Sequence, residues 1–152
     1  MTSTNGCLPA PLTRAALLAA ALLAAVPAEA APTVPVRARI IKGSRQGPPA
    51  IDPRLNDLRP QLSHVAYVRW DQVGEHVLDM AFGKAVELPL PDGSKLEVTL
   101  LESRKDTVTF EVRVPKRKTQ SRLTISKDKR IVHQVTGELG GEAYFVTIRP
   151  WP

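Results

Sequence analysis

The feature that most constrains the fold is strict alternation of apolar and polar residues between positions 107 and 114. The apolar residues of this segment are Val108, Phe110, Val112 and Val114. Successive side chains of a β-strand point to opposite faces, so the pattern predicts a strand with one buried and one solvated face. A helix repeats every 3.6 residues and does not separate two such sets. The rest of the chain must therefore supply partners for an amphipathic strand.

Similar alternation recurs along most of the chain and predicts a mainly β protein. The further predicted strands are 34–41, 65–70, 75–82, 86–90, 96–100, 123–125, 131–136 and 144–149. Turn-forming residues separate them, most clearly at Asp92-Gly93, because Asp-Gly tolerates the positive φ angles of tight hairpins. We expect an antiparallel β-sandwich or a small barrel of seven to eight strands with one short helix.

The one helical pattern begins at Asp52-Pro53. Asp52 is a good N-cap, and a proline at the first helical position loses no needed donor. The apolar residues that follow recur at helical spacing, but Pro60 would remove a hydrogen bond inside a longer helix. The sequence therefore predicts a short helix over 53–59, followed by a kink or a new turn.

The N-terminus has the pattern of a cleavable secretory signal peptide. Arg14 precedes twelve residues without a polar side chain (15–26), and Ala28 and Ala30 form a small-residue A-x-A exit. A retained anchor would need roughly 20 apolar residues, and a lipid anchor would need a cysteine after the apolar run, whereas Cys7 precedes it. We expect cleavage after Ala30 and a periplasmic or secreted protein without a transmembrane helix after processing.

The expected organisation is thus a signal peptide (1–30), a short leader (31–35) and a single β-rich domain (36–152). Cleavage removes one base and one acid, so the net charge stays at +6. It also removes the chain's one cysteine, which excludes disulfides, thiolate catalysis and zinc–thiolate sites in the mature domain.

No catalytic, metal-binding or phosphate-binding motif is evident. The histidines His64, His76 and His133 are too far apart for the close spacing of helical metal ligands. There is no G-x-S-x-G motif and no glycine-rich phosphate loop. The sequence predicts no catalytic residue, no metal and no cofactor, and it favours a binding protein over an enzyme.

Positive charge is concentrated between positions 113 and 130, a stretch that we call the basic segment. It holds eight bases and one acid, a net charge of +7, and its bases are Arg113, Lys116, Arg117, Lys118, Arg122, Lys127, Lys129 and Arg130. Such a charge density attracts anions at long range. The candidate partners outside the cytoplasm are anionic envelope components: lipid headgroups, lipopolysaccharide, wall polymers or an acidic protein surface. Trp151, between two prolines, is a further candidate contact residue.

Other interpretations stay open at this point. The basic segment could serve only to keep edge strands apart and the domain in solution. Nucleic acid is disfavoured by the export signal and by the lack of interleaved aromatic residues. The leading hypothesis is an exported interaction module. The alternatives are a small-ligand carrier or hydrolase with an internal cavity lined by His76, Asp79 or Glu87, and a structural accessory of a secretion or pilus assembly.

The order of these parts resembles that of small exported β-rich proteins of GC-rich, myxobacteria-like bacteria. The shared features are the signal peptide, a D-P-R-L-x-x-L helix (52–58), an L-P-x-G turn (90–93) and a closing strand after Gly140-Gly141. The resemblance covers most of the mature chain. It implies an envelope location, and it carries over neither an activity nor any functional residue.

Overall fold

The computed structural model describes residues 29–150, and most of its regular structure is β-strand. The strands in chain order are β1 (Thr33–Ser44), β2 (Ala50–Ile51), β3 (Arg69–Ala81), β4 (Ala85–Pro89), β5 (Lys95–Ser103), β6 (Thr107–Val114), β7 (Thr119–Ser126), β8 (His133–Gln134) and β9 (Glu142–Pro150). A 3-10 helix (Pro53–Leu58) and one turn of α-helix, α1 (Arg59–Leu62), connect β2 to β3. A second 3-10 turn (Pro115–Arg117) joins β6 to β7. The predicted mainly β fold is confirmed.

The strands form two sheets. The first sheet has the order β2-β3-β1-β9-β8, and the second sheet is the meander β4-β5-β6-β7. Neighbouring strands are antiparallel, except that β2 runs parallel to β3. The two sheets enclose the larger apolar core in the manner of a β-sandwich. Seven of these strands have five or more residues, while β2 and β8 have two each.

The alternation that predicted β6 is the alternation that fills this core. Phe110 is fully buried and faces the first sheet, whereas the residues on either side of it, Thr109 and Glu111, face away from the core. β1 contributes Val36, Ala38 and Ile40 from the opposite side. Burying one large apolar side chain contributes about 1.5–3 kcal/mol, so side chains of this kind hold the two sheets together.

A second apolar cluster lies on the outer face of the first sheet. Leu55, Leu58 and Leu62 project from the two consecutive helical segments and are fully buried. They pack on Trp70 and Phe145 of the sheet. The predicted cap is present, since the Asp52 carboxylate accepts a hydrogen bond from the Arg54 amide at 3.0 Å. The predicted helix is a 3-10 helix, and α1 begins next to Pro60, where a proline is tolerated in the first turn.

The strands predicted over 65–70 and 75–82 are in fact parts of one long strand, β3, and residues 65–68 before it form bends and irregular backbone. Val73 has no partner on β1, because Ile40 lies opposite Gly74 and Ile41 lies opposite Gln72. One extra residue in a strand reverses the face of every residue beyond it. The alternation of apolar and polar residues is therefore interrupted at the bulge. For this reason the sequence predicted two strands where the structure has one.

The strand predicted over 131–136 is also shorter than expected. The strand β8 comprises His133–Gln134, and beyond it the Val135 amide still donates to the Tyr144 carbonyl of β9 at 2.9 Å. Thr136 follows, and its hydroxyl accepts a hydrogen bond from the Tyr144 amide at 2.9 Å, so a side chain replaces part of the backbone ladder. Within residues 29–150, no helix has the length and apolar character needed to span a membrane.

Candidate anion-binding site

The fold divides the basic segment between the two ends of the second sheet. Lys116, Arg117 and Lys118 lie in the turn between β6 and β7, whereas Lys127, Lys129 and Arg130 follow the far end of β7. β7 has eight residues, and a strand rises about 3.3 Å per residue, so roughly 23 Å separates the ends. Arg113 and Arg122 lie between them on the solvent face. The eight bases therefore do not form one compact patch.

Two arginines of the basic segment are neutralised by neighbouring carboxylates. Arg113 binds Glu97 of the adjacent strand, with its Nε 2.8 Å from Oε2. Arg117 binds Asp92, with its Nη2 2.7 Å from Oδ2. Burial raises the pKa of Asp92, but hydrogen bonds from Ser94 and Arg117 outweigh it and bring the pKa to about 2. The Arg113 pair links two adjacent strands, and the Arg117 pair links the β6–β7 turn to the β4–β5 turn.

Lysines supply most of the remaining charge of the segment. Lys116, Lys118, Lys127 and Lys129 are exposed, and none of the described carboxylates lies within ion-pair distance of their amines. Arg122 is exposed on β7 and lies opposite Glu111 of β6. Trp151 lies outside the described residues.

Arg130 leaves the second sheet and joins three arginines on the outer face of the first sheet. Its guanidinium binds the carboxylate of Asp57 in the 3-10 helix. Arg37 and Arg39 come from β1, and Arg149 comes from β9, where it lies directly opposite Arg37. Arg37, Arg39, Arg130 and Arg149 line one narrow cleft together with Thr147 and Ile148. We call these four residues the arginine cluster.

Arg39 is the buried member of the arginine cluster. Its side chain is only 7% exposed, and Nη1 donates to Asp57 Oδ1 and to the Arg54 carbonyl, both at 3.0 Å. Burial lowers the pKa of Arg39, and the charge of Glu75 partly opposes this effect. A buried guanidinium with these partners fastens the 3-10 helix to the sheet.

Arg37 binds a second carboxylate. Glu75 of β3 accepts hydrogen bonds from Arg37 and, at 3.1 Å, from Gln72 Nε2. Burial raises the pKa of Glu75, but these hydrogen bonds and the charge of Arg37 lower it further than burial raises it. Glu75 is therefore ionised and occupies the β3 side of the cluster.

Among the described residues, the carboxylates of Asp57 and Glu75 contact members of the arginine cluster. The guanidinium groups also act on one another. Burial lowers the pKa of Arg130, and repulsion by Arg149, Arg39 and Arg37 lowers it further. A group that other cations repel in this way lies in a positive potential, which favours the entry of an anion.

The cleft between the arginines is small. Its volume is about 10 Å³, which is the room needed by about one water-sized atom. Arg37 and Arg130 remain 28% and 33% exposed at its mouth. The geometry thus admits one oxygen of an anion between the guanidiniums, while the rest of the molecule stays outside.

The basic segment predicted from the sequence includes Arg130 but none of the other three members of the cluster. Arg37 and Arg39 did carry a signal, because two arginines at alternate positions of a strand share its solvent face. The pairing of β1 with β9, which places Arg149 opposite Arg37, joins positions far apart in sequence. The pairing of these two strands therefore cannot be predicted from a local sequence pattern.

The features proposed for an internal site are dispersed. His76 and Asp79 point to opposite faces of β3, and Glu87 pairs with Lys95 on the surface. The cavities at the arginine cluster, beside α1 and next to the turn between β4 and β5 are lined by other residues. Among residues 29–150, no three histidine, aspartate or glutamate side chains are grouped so that they could hold a metal ion.

Comparison with known proteins adds no relative to this description. No protein-family model, curated protein or solved structure matches the chain.

Proposed function

We propose that this protein is an exported binding module that recognises an anionic group on an envelope component through the arginine cluster. Support for export comes from the N-terminal pattern of a basic residue, an apolar run and an A-x-A exit. Support for anion binding comes from the arrangement of Arg37, Arg39, Arg130 and Arg149 around one cleft.

The observation that carries the proposal is the convergence of four guanidinium groups on this cleft. Three separate parts of the chain, β1, β9 and the segment after β7, bring the four arginines together. Arginine presents a planar fork of donors that matches phosphate and carboxylate oxygens, and it is less strongly hydrated than lysine. The ligand class that fits is therefore an oxyanion on a larger molecule, such as a phosphate or a carboxylate.

A purely structural ion-pair network is the competing interpretation. Asp57 would then hold the 3-10 helix in place through Arg39 and Arg130, and the cluster would bind nothing else. The two interpretations differ at Arg37 and Arg149, which come from β1 and β9 and contribute their charge to the cleft. Removing these two charges should affect binding far more than stability.

The test compares double variants that each remove two positive charges. Binding of the purified protein is measured to vesicles of phosphatidylcholine with phosphatidylglycerol, to purified lipopolysaccharide and to a soluble wall teichoic acid. The cluster variant is Arg37→Gln/Arg149→Gln. The matched controls are Lys116→Gln/Lys118→Gln in the β6–β7 turn and Lys127→Gln/Lys129→Gln at the far end of β7.

We expect the cluster variant to weaken binding to at least one of these probes by tenfold or more, and the two lysine controls to weaken it by threefold or less. The probe that responds identifies the source of the oxyanion. Equal losses in all three variants would indicate a general field of positive charge and would refute a specific site. Unchanged binding by the cluster variant, or no binding by the unmodified protein, would also refute it.

A further inference from the structure

A groove lies at the β2 edge of the first sheet, on the face that the helical segments cover. Its volume is about 360 Å³, within the range of about 300–1,000 Å³ found for ligand sites. The lining is mainly apolar and comes from β2, α1 and the start of β3: Pro49, Ala50, Ile51, Arg59, Leu62, Ser63, Tyr67, Val68 and Trp70. One wall is an edge strand and the opposite wall is a helical turn.

The edge strand beside this groove has backbone groups that form no hydrogen bond among the described residues. The Ala50 amide donates to the Val68 carbonyl at 3.0 Å, and the Asp52 amide donates to the Trp70 carbonyl at 2.8 Å. Backbone groups of successive strand residues point to alternate sides, so the N–H and C=O of Ile51 point away from β3. β2 is the last strand on this side of the sheet. These groups form the template on which an added strand pairs.

Aromatic packing makes the floor of the groove rigid. Tyr67, Trp70 and Phe145 form three edge-to-face contacts, with ring centroids 5.6, 5.4 and 5.0 Å apart. Gly43 lies against all three rings, where a Cβ atom would come within about 3.1 Å of each. A preorganised wall lowers the entropic cost of binding.

One cation stands at the rim of the groove. The Arg59 guanidinium donates to the neutral Asn56 Oδ1 at 3.0 Å. None of the described carboxylates lies within ion-pair distance of Arg59, in contrast to Arg54 and Arg69 nearby, which bind Asp52 and Asp71. A ligand that fits the groove and carries a negative charge would therefore meet an unmatched cation.

We propose that this groove binds an extended peptide segment of another envelope protein. The segment adds as a strand beside β2, places an apolar side chain in the groove and directs a carboxylate to Arg59. An extended peptide satisfies the N–H and C=O of Ile51, which an acyl chain does not. The proposal rests on the export that is part of the function proposed above, but the site uses none of the arginine cluster.

The test begins with a displayed library of random seven-residue peptides selected against the purified protein. Enriched peptides are synthesised, and their binding is measured by fluorescence anisotropy. Ile51→Pro removes the outward N–H, and proline is tolerated at such a position of an edge strand. Ile51→Val is the matched control, because it keeps the N–H and nearly the same side chain.

We expect Ile51→Pro to weaken peptide binding by tenfold or more and Ile51→Val by threefold or less. A glutamine in place of the acidic residue of the peptide should weaken binding to the unmodified protein. It should have no effect on binding to Arg59→Gln. Arg104→Gln, at an exposed arginine in the connection between β5 and β6, serves as the charge control and should behave as the unmodified protein.

A second measurement covers the case in which Ile51→Pro fails to fold. Single N-methylation along the bound peptide should abolish binding at alternate positions, because only alternate amides of an added strand face β2. Uniform tolerance of N-methylation would overturn the proposal. Failure of the library to yield a binder would overturn it too, as would competition for the groove by a fluorescent fatty acid but by no peptide.

Discussion

Arg37 and Arg149 lie directly opposite each other on the adjacent strands β1 and β9, and both line the same cleft. Like charges at directly opposed positions of a sheet destabilise it. A domain under selection for stability alone would not favour this pair, whereas a domain that binds an oxyanion would use it. If the proposed function is right, the opposed positions of Arg37 and Arg149 lower the stability of the sheet by an amount that can be measured.

Replacing Arg149 by glutamine should lower anion binding and change stability little. Removing one of two opposed like charges relieves a repulsion of about 0.2–1 kcal/mol, and the loss of the other interactions of Arg149 offsets part of this gain. Urea denaturation measures this change, and the vesicle and lipopolysaccharide assays measure binding. A loss of stability above about 1 kcal/mol would show instead that Arg149 has a structural role.

Lys118 should be replaceable by glycine with a gain in stability. Its φ of 55° lies in the left-handed region, which costs a residue with a Cβ about 1–2 kcal/mol. Glycine removes this cost but adds freedom to the unfolded chain, so we expect a net gain of about 0.5–1 kcal/mol. The matched control is Lys116→Gly, at a residue of the 3-10 turn, which should lose stability. Thermal unfolding of both variants tests the prediction. A lower melting temperature for Lys118→Gly than for the unmodified protein would contradict it.

Stability at acid pH should depend on Asp92. The pKa of its carboxyl is about 2 in the folded chain, against an ordinary value of 3.8. The unfolded chain takes up the proton first, so the stabilisation is present above about pH 4 and is lost as the pH falls towards 2. After allowance for solvent screening, we expect about 1–2 kcal/mol.

Urea unfolding between pH 2 and pH 5 measures this contribution. Asp92→Asn should be less stable than the unmodified protein at pH 5, and the difference should shrink towards pH 2. Asp106→Asn is the control, because Asp106 is exposed and forms no ion pair among the described residues. A gap of constant size across this range would rule out the proposed titration.

Gly43 should not tolerate even a methyl group. A Cβ atom there would come within 3.0 Å of Phe145 Cε2 and Trp70 Cζ3, and forcing atoms into a packed core costs about 1–3 kcal/mol. Gly43→Ala should therefore lower stability and also disturb peptide binding in the groove. Gly137→Ala is the control, since no atom lies within 4 Å of its Cβ position. Differential scanning fluorimetry compares the two, and equal melting temperatures would contradict the prediction.

The sequence predicted the features that depend on local chemistry. Alternation placed Phe110 in the core, and Asp52-Pro53 marked the start of the helical segment. The alternation did not predict that β3 is one continuous strand. Val73 is an extra residue at a bulge, so the apolar and polar positions exchange faces there and the pattern of period two is interrupted.

Both candidate sites depend on relationships that no local pattern contains. The arginine cluster needs the register of β1 with β9 and the path of the chain from β7 to Arg130. The groove needs the parallel pairing of β2 with β3, which is only two residues long. Charge density along the chain pointed to 113–130, yet the strands carry the two ends of that segment apart and bring one arginine to another sheet.

The stretch from Pro53 to Leu62 touches both surfaces, through Asp57 at the arginines and through Arg59 and Leu62 at the groove. An oxyanion that displaced Asp57 from Arg39 would release one tether of a wall against which a peptide packs. By thermodynamic reciprocity, an occupied groove would then alter the affinity for the anion by the same factor. These ten residues would thus couple the binding of a peptide in the groove to the binding of an anion at the arginine cluster.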